Sequence, residues 1–161
     1  MQFGSAYSFL SLSLTVMFFA AGCDSRPARV QVSGKVLIDG EPLKYGAVDF
    51  VPEKGRQASG ILDANGYFTL TCFEPGDGAL IGKHQIQILA GDAINDTTTK
   101  WYAPKKYADR RTSGLVQEIK DPTDSLVINL TWKGNTPDKP FTEHAEADPG
   151  EAAFGRARRK K

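Results

Sequence analysis

The sequence predicts an all-β fold, a seven-stranded antiparallel β-sandwich, and three observations predict it. Short apolar runs alternate with polar residues at a period of two, as half-buried strands do. Gly, Pro, Asp and Asn clusters separate those runs, and the 16 Gly and 9 Pro are spread between them. No stretch keeps a helical period over three turns, so little is left to build a fold except sheets packed face to face.

The strands follow in order. Val30 to Ile38 alternates and places Val30, Val32 and Val36 on a core face. Asp39-Gly40-Glu41-Pro42 is a turn, and Ala47 to Val51 supplies the second strand, closed by Pro52. Ala58 to Leu62 is third, followed by the hairpin turn Asp63-Ala64-Asn65-Gly66 with Gly66 suited to positive φ. Tyr67 to Cys72 is fourth, with Phe68 and Leu70 inward, and Cys72 after them reads as a half-buried inert thiol. A loop through Pro75-Gly76-Asp77-Gly78 leads to the fifth strand, His84 to Leu89, with Ile86 and Ile88 on one face. The connection from Ala90 to Ser113 is the longest in the domain. Leu115 to Ile119 and Leu126 to Trp132 complete the seven, and Phe50, Phe68, Ile86 and Ile128 are predicted to share one core.

These runs divide the chain of 161 residues into a signal segment 1–22, a tether 23–29, a β-sandwich 30–132 and a charged tail 133–161. The tail holds Pro137, Pro140 and Pro149, with five acids between Asp138 and Glu151 and five cations in the last six residues. Such a composition buries too little apolar area to order itself, so the tail is expected to be disordered. Net charge is +1, which gives no global steering toward nucleic acid or anionic lipid.

The first 22 residues carry no charge. Phe9 to Ala21 is mostly apolar, and as a helix it is about 20 Å long, short of a hydrocarbon layer of about 30 Å. That length suits the apolar core of a signal peptide. Ala20-Ala21-Gly22-Cys23 follows directly and resembles the lipobox of bacterial lipoproteins, with Ala20 where Leu is commonest. The resemblance implies a diacylglycerol thioether on Cys23, cleavage before it, and acylation of the new amine. It leaves Cys72 as a lone thiol.

Val32-Ser33-Gly34-Lys35-Val36, then Asp39-Gly40-Glu41-Pro42-Leu43, then Gly46-Ala47-Val48-Asp49-Phe50-Val51-Pro52 form a strand, a tight turn and a second strand. Asp63-Ala64-Asn65-Gly66-Tyr67-Phe68 and Gly82-Lys83-His84-Gln85-Ile86-Gln87-Ile88 follow in the same order. In that order they resemble the carboxypeptidase regulatory-like domain, a transthyretin-like (prealbumin-like) β-sandwich, over roughly Val30 to Trp132. Pro104 to Asp109 with Thr112 to Leu115 resembles a segment of small bacterial lipoproteins carrying this domain. The resemblance implies a folded, non-catalytic module, accessory to another domain or surface.

His84 and His144 lie far apart with no H-E-x-x-H spacing, so no metal and no cofactor are predicted. Asp63-x-Asn65-Gly66 lacks the Glu a calcium loop needs about six residues after its Gly. No Ser/His/Asp or Cys/His spacing supports nucleophilic catalysis, so the chain is read as no enzyme. The segment from Lys100 to Arg111 holds three aromatics, five cations, one carboxylate, and no His, Ser or Cys. Trp101, Tyr102, Lys105, Tyr107 and Arg110 are its candidate binding residues, suited to contact rather than proton transfer. The competing reading is that its aromatics cap one end of the sandwich while its charges are solvated.

The sequence therefore points to an exported protein anchored at the cell envelope through lipid on Cys23. Its β module would be structural or would bind an envelope protein. A carbohydrate-binding module using the Trp101–Tyr107 segment is the alternative.

Overall fold

A computed structural model describes residues 26–145, which are mostly β, with several antiparallel sheets and no closed barrel among them. Cys23, the signal segment and residues 146–161 lie outside the described residues. In chain order the strands are β1 (Arg29–Val30), β2 (Val32–Ile38), β3 (Glu41–Pro42), β4 (Ala47–Pro52), β5 (Ala58–Ile61), β6 (Tyr67–Thr69) and β7 (Ala79–Leu80). β8 (Gly82–Leu89), β9 (Gly91–Asn95) and β10 (Thr98–Trp101) follow. A 3₁₀ turn (Lys105–Ala108) and one helical turn, α1 (Arg110–Ser113), then lead to β11 (Leu115–Ile119), β12 (Thr123–Leu130) and β13 (Phe141–His144).

One four-stranded sheet runs β11-β8-β4-β5. A second is built on β2, with β12 along one edge and β6 and β3 in succession along the other. The β12–β2 pair is parallel, which corrects the expectation of an all-antiparallel arrangement. The cause is the corner at Asp121-Pro122: β11 belongs to the first sheet and β12 to the second, so no hairpin joins them. A Cβ on Gly34 of β2 would collide with the Leu126 carbonyl, so glycine is required where the two strands pass closest. The predicted seven runs are also divided further, into thirteen segments among the described residues, because turns and bulges interrupt them.

Both sheets bury one cluster. Val32 and Val36 of β2, Val48 and Phe50 of β4, Phe68 of β6, Ile86 and Ile88 of β8 and Ile128 of β12 all belong to it. The rings of Phe50 and Phe68 lie 6.2 Å apart, tilted, within the favourable range for aromatic pairs. Val30 is only partly buried, since β1 leaves the line of β2 to pair with β7. Cys72 is fully buried rather than half-buried, in step with Phe68 and Leu70. Burial pushes its thiol above the ordinary range, and the Asp77 charge adds to this.

Two carboxylates hold the turns. Asp39 and Gly40, both at positive φ (49° and 88°), form the two-residue loop between β2 and β3. The Asp39 carboxylate accepts from Thr131 Oγ1 at 2.6 Å and from Trp132 N at 3.2 Å, fastening that hairpin to the end of β12. The Asp77 carboxylate accepts from the backbone N–H of Cys72 (2.7 Å), Phe73 (3.1 Å) and Glu74 (3.2 Å), and pairs with Arg29 at 2.7 Å.

The expected tail is corrected where it is described. Phe141–His144 is a strand that pairs antiparallel with all of β10, Trp101 opposite Phe141 and Thr98 opposite His144. Its composition is polar, but a β10 edge supplies the backbone partners and Trp101 and Trp132 supply apolar cover.

Candidate functional site

The predicted loop from Ala90 to Ser113 is instead a hairpin, β9–β10, followed by the 3₁₀ turn and α1. α1 is started by Asp109, whose side chain accepts from Arg111 N, and closed by Gly114 at φ 69°. These elements place the five candidate residues in three different settings.

Trp101 and Lys105 converge on Glu143. Trp101 Nε1 donates to Glu143 Oε2 at 3.0 Å, and Lys105 Nζ donates to both carboxylate oxygens at 2.8 and 2.9 Å. Lys105 Nζ also lies 5.5 Å from the Trp101 ring centre, and Phe141 stacks on that ring at 6.5 Å and 19°. Trp132 meets Phe141 edge-on at 6.5 Å. The Lys105 hydrogen bond, followed by that of Trp101, holds the Glu143 carboxyl below the ordinary range. A carboxylate so satisfied is a structural acceptor and is not poised to move a proton.

Tyr102 and Tyr107 sit apart from that cluster. Tyr102 N donates to Ala90 O at 2.8 Å, and its ring is tilted against Tyr45 at 5.1 Å. Tyr45 OH donates to Asp92 Oδ1 at 3.1 Å, and that bond raises the Tyr45 pKa. Tyr107 is buried, and its hydroxyl accepts from Thr131 N at 3.3 Å. Lys100 and Lys106 cover the Tyr102 and Tyr107 rings at 4.9 and 4.7 Å. Arg110 occupies the third setting. Its backbone N donates to Gln87 Oε1 at 3.4 Å, and Gln87 Nε2 donates to the buried Asp49 at 2.9 Å. A shallow concavity of about 390 Å³ lies there, lined by Val51, Gln57, Gln87, Ala108, Arg110 and Arg111. Its Arg111 guanidinium is held by Asp109 at 2.6 Å, which with the Arg111 backbone bond holds the Asp109 carboxyl down to about 2.

The segment is thus mainly packing at Trp101 and Tyr107, and exposed chemistry at Arg110. Phe141, Glu143, Tyr45 and Asp92 are the partners that sequence reading missed. The alternation of Phe141-Thr142-Glu143-His144 was the available signal for the first two. Another concavity, of about 540 Å³, lies elsewhere, lined by Ser59, Gly60, Ile61, Tyr67, Thr69 and Thr71. It is lined by none of the predicted binding residues, and the carboxylate in its lining, Asp63, is engaged by Asn65 N and Tyr67 N in the hairpin turn.

His84 is fully buried in β8, where Nε2 lies 2.7 Å from Leu80 O and Nδ1 has no partner. His144 Nδ1 lies 3.1 Å from Thr98 Oγ1. Among the described residues no group of three or more His, Cys, Asp or Glu is placed to hold a metal ion. No described helix is long and apolar enough to cross a membrane. No family model, no curated protein and no solved structure matches this chain.

Proposed function

We propose that this chain is a lipid-anchored, non-catalytic protein of the cell envelope whose β domain acts as a structural or binding module. The observation that carries the reading is Ala20-Ala21-Gly22-Cys23 at the end of an uncharged apolar segment, with polar residues starting at Asp24. Acyl chains on Cys23 would contribute about 0.8 kcal/mol per buried CH₂, and two or more give stable retention. The two four-stranded sheets around one core read best as the layers of a transthyretin-like sandwich. The ordered succession of motifs from Val32 to Ile88 supports membership of the carboxypeptidase regulatory-like family.

The sugar-binding reading has less support. A glycan platform needs an open aromatic face, whereas the Trp101 ring is stacked on Phe141 and covered by Lys105. Intact-mass measurement of protein purified from the membrane fraction tests the main reading. The expected species begins at Cys23 and carries added acyl mass. An unmodified chain beginning elsewhere overturns it.

A further inference from the structure

The first described residue, Arg26, lies three positions after Cys23, a reach of about 10 Å even when fully extended. It stands at one definite end of the domain. Ile81 N, beside the start of β8, donates to Ala28 O at 3.2 Å. Ala90, just past the other end of β8, accepts from Tyr102 N. The eight residues of β8 between them span about 25 Å.

At the Ala28 end three arginines surround one aromatic ring. The guanidinium carbons of Arg26, Arg29 and Arg56 each lie 5.4 Å from the centre of Phe73, which is only partly buried. Arg26 pairs with Glu74 at 2.7 Å, Arg29 with Asp77, and Arg56 and Lys54 are exposed on the β4–β5 loop. That loop is pressed onto Leu80, since a Cβ on Gly55 would stand 2.6 Å from Leu80 Cδ1. Planar guanidinium groups recognise phosphate in bidentate fashion, and an aromatic ring beneath them suits the boundary between water and acyl chains.

We infer that this end, presenting Arg26, Arg56 and Phe73 with Arg29 held behind them by Asp77, seats the domain on the phosphate groups of anionic phospholipids. The inference rests on the lipid-anchored reading, and it adds an orientation to it. The patch is partly neutralised by Glu74 and Asp77, so free in solution it binds weakly. A short tether raises the effective lipid concentration at the patch to the millimolar range or above, where a weak contact is filled. The face holding Trp101, Lys105 and Glu143 then points away from the bilayer.

The test uses the full lipidated chain reconstituted in phosphatidylcholine vesicles with and without phosphatidylglycerol. Single cysteines, Lys54→Cys at the near end and Lys44→Cys at the far end, carry a fluorescent label. Cys72 is buried and Cys23 is acylated, so labelling is selective. A headgroup nitroxide lipid should quench the Lys54 label at least about two-fold more than the Lys44 label when phosphatidylglycerol is present, and the excess should shrink without it or at high salt. Arg26→Gln with Arg56→Gln should remove the phosphatidylglycerol-dependent part. Both side chains are exposed, so the fold should survive, as circular dichroism would verify. Quenching that is equal at the two sites overturns the proposal. So does quenching indifferent to lipid charge and to both substitutions, which is the signature of the tether alone. Intact mass of the same sample reports acylation separately. An acylated chain without the quenching pattern defeats the orientation and leaves anchoring standing, while an unacylated chain defeats both.

Discussion

Asp77 shows how one side chain sets a local structure. Three backbone N–H groups and the Arg29 guanidinium converge on its carboxylate. Burial raises its pKa, but those donors outweigh the burial and hold it below the ordinary value. Asp77→Ala would leave three backbone donors without their acceptor and remove the Arg29 ion pair, at a cost of about 2–4 kcal/mol in urea denaturation. Glu143 and Asp109 are held down as well, Asp109 to about 2. Groups with depressed folded pKa values take up protons more readily when unfolded. Their stabilisation is therefore complete above about pH 5 and is lost as the pH falls through the folded values. Denaturation midpoints measured from pH 6 to pH 2.5 should decline, and Asp77→Asn should flatten that decline. An acid limb unchanged by the substitution would place the dependence on other groups. Phe68 makes the hydrophobic counterpart. It is 3% exposed, inside the shared core, and Phe68→Ala should cost about 3–5 kcal/mol. A loss below about 1 kcal/mol would mean that the pocket collapses around the smaller residue.

At the scale of elements, β13 is where composition and structure part. Its residues are polar and follow a Pro-rich stretch, yet they pair with β10 and bring Glu143 to Trp101 and Lys105. Ending the chain after Trp132 removes four ladder positions, the Phe141 stack and the acceptor for the Trp101 indole. The melting temperature should fall by several degrees, since about 1 kcal/mol is worth about 4–8 °C in a domain of this size. In a Trp132→Phe background the remaining Trp101 fluorescence should become more quenchable by acrylamide. A truncated chain that melts at the native temperature, with unchanged quenching, would show that β13 contributes nothing to the domain.

For the whole molecule the question is which surface meets a partner. Anchoring at Cys23 would leave the opposite end, with Tyr102 and Trp101, pointing away from the anchor. Arg110, beside the middle of β8, is an exposed cation at a concavity shared with Gln57 and Gln87, whereas Trp101 and Tyr107 are committed to packing. Arg110→Ala should therefore reduce crosslinking to an envelope partner several-fold while the melting temperature stays within about 2 °C. Trp101→Ala should lower stability instead. A partner captured equally well after Arg110→Ala would move the contact surface elsewhere.

The all-β class, the inward alternation of Phe50, Phe68, Ile86 and Ile128, and the Asp63–Gly66 turn were legible in the sequence. They depend on period-two burial and on turn chemistry, which are properties of neighbouring residues. Which strands pair was not legible, because the parallel placement of β12 beside β2 depends on the corner at Asp121-Pro122 and on the glycine contact at Gly34. The fate of Trp101 was hidden for the same reason. Its acceptor, Glu143, lies 42 residues away, in a strand that pairs with the β10 edge. Local periodicity decided the faces, and long-range backbone pairing decided which residues share a site.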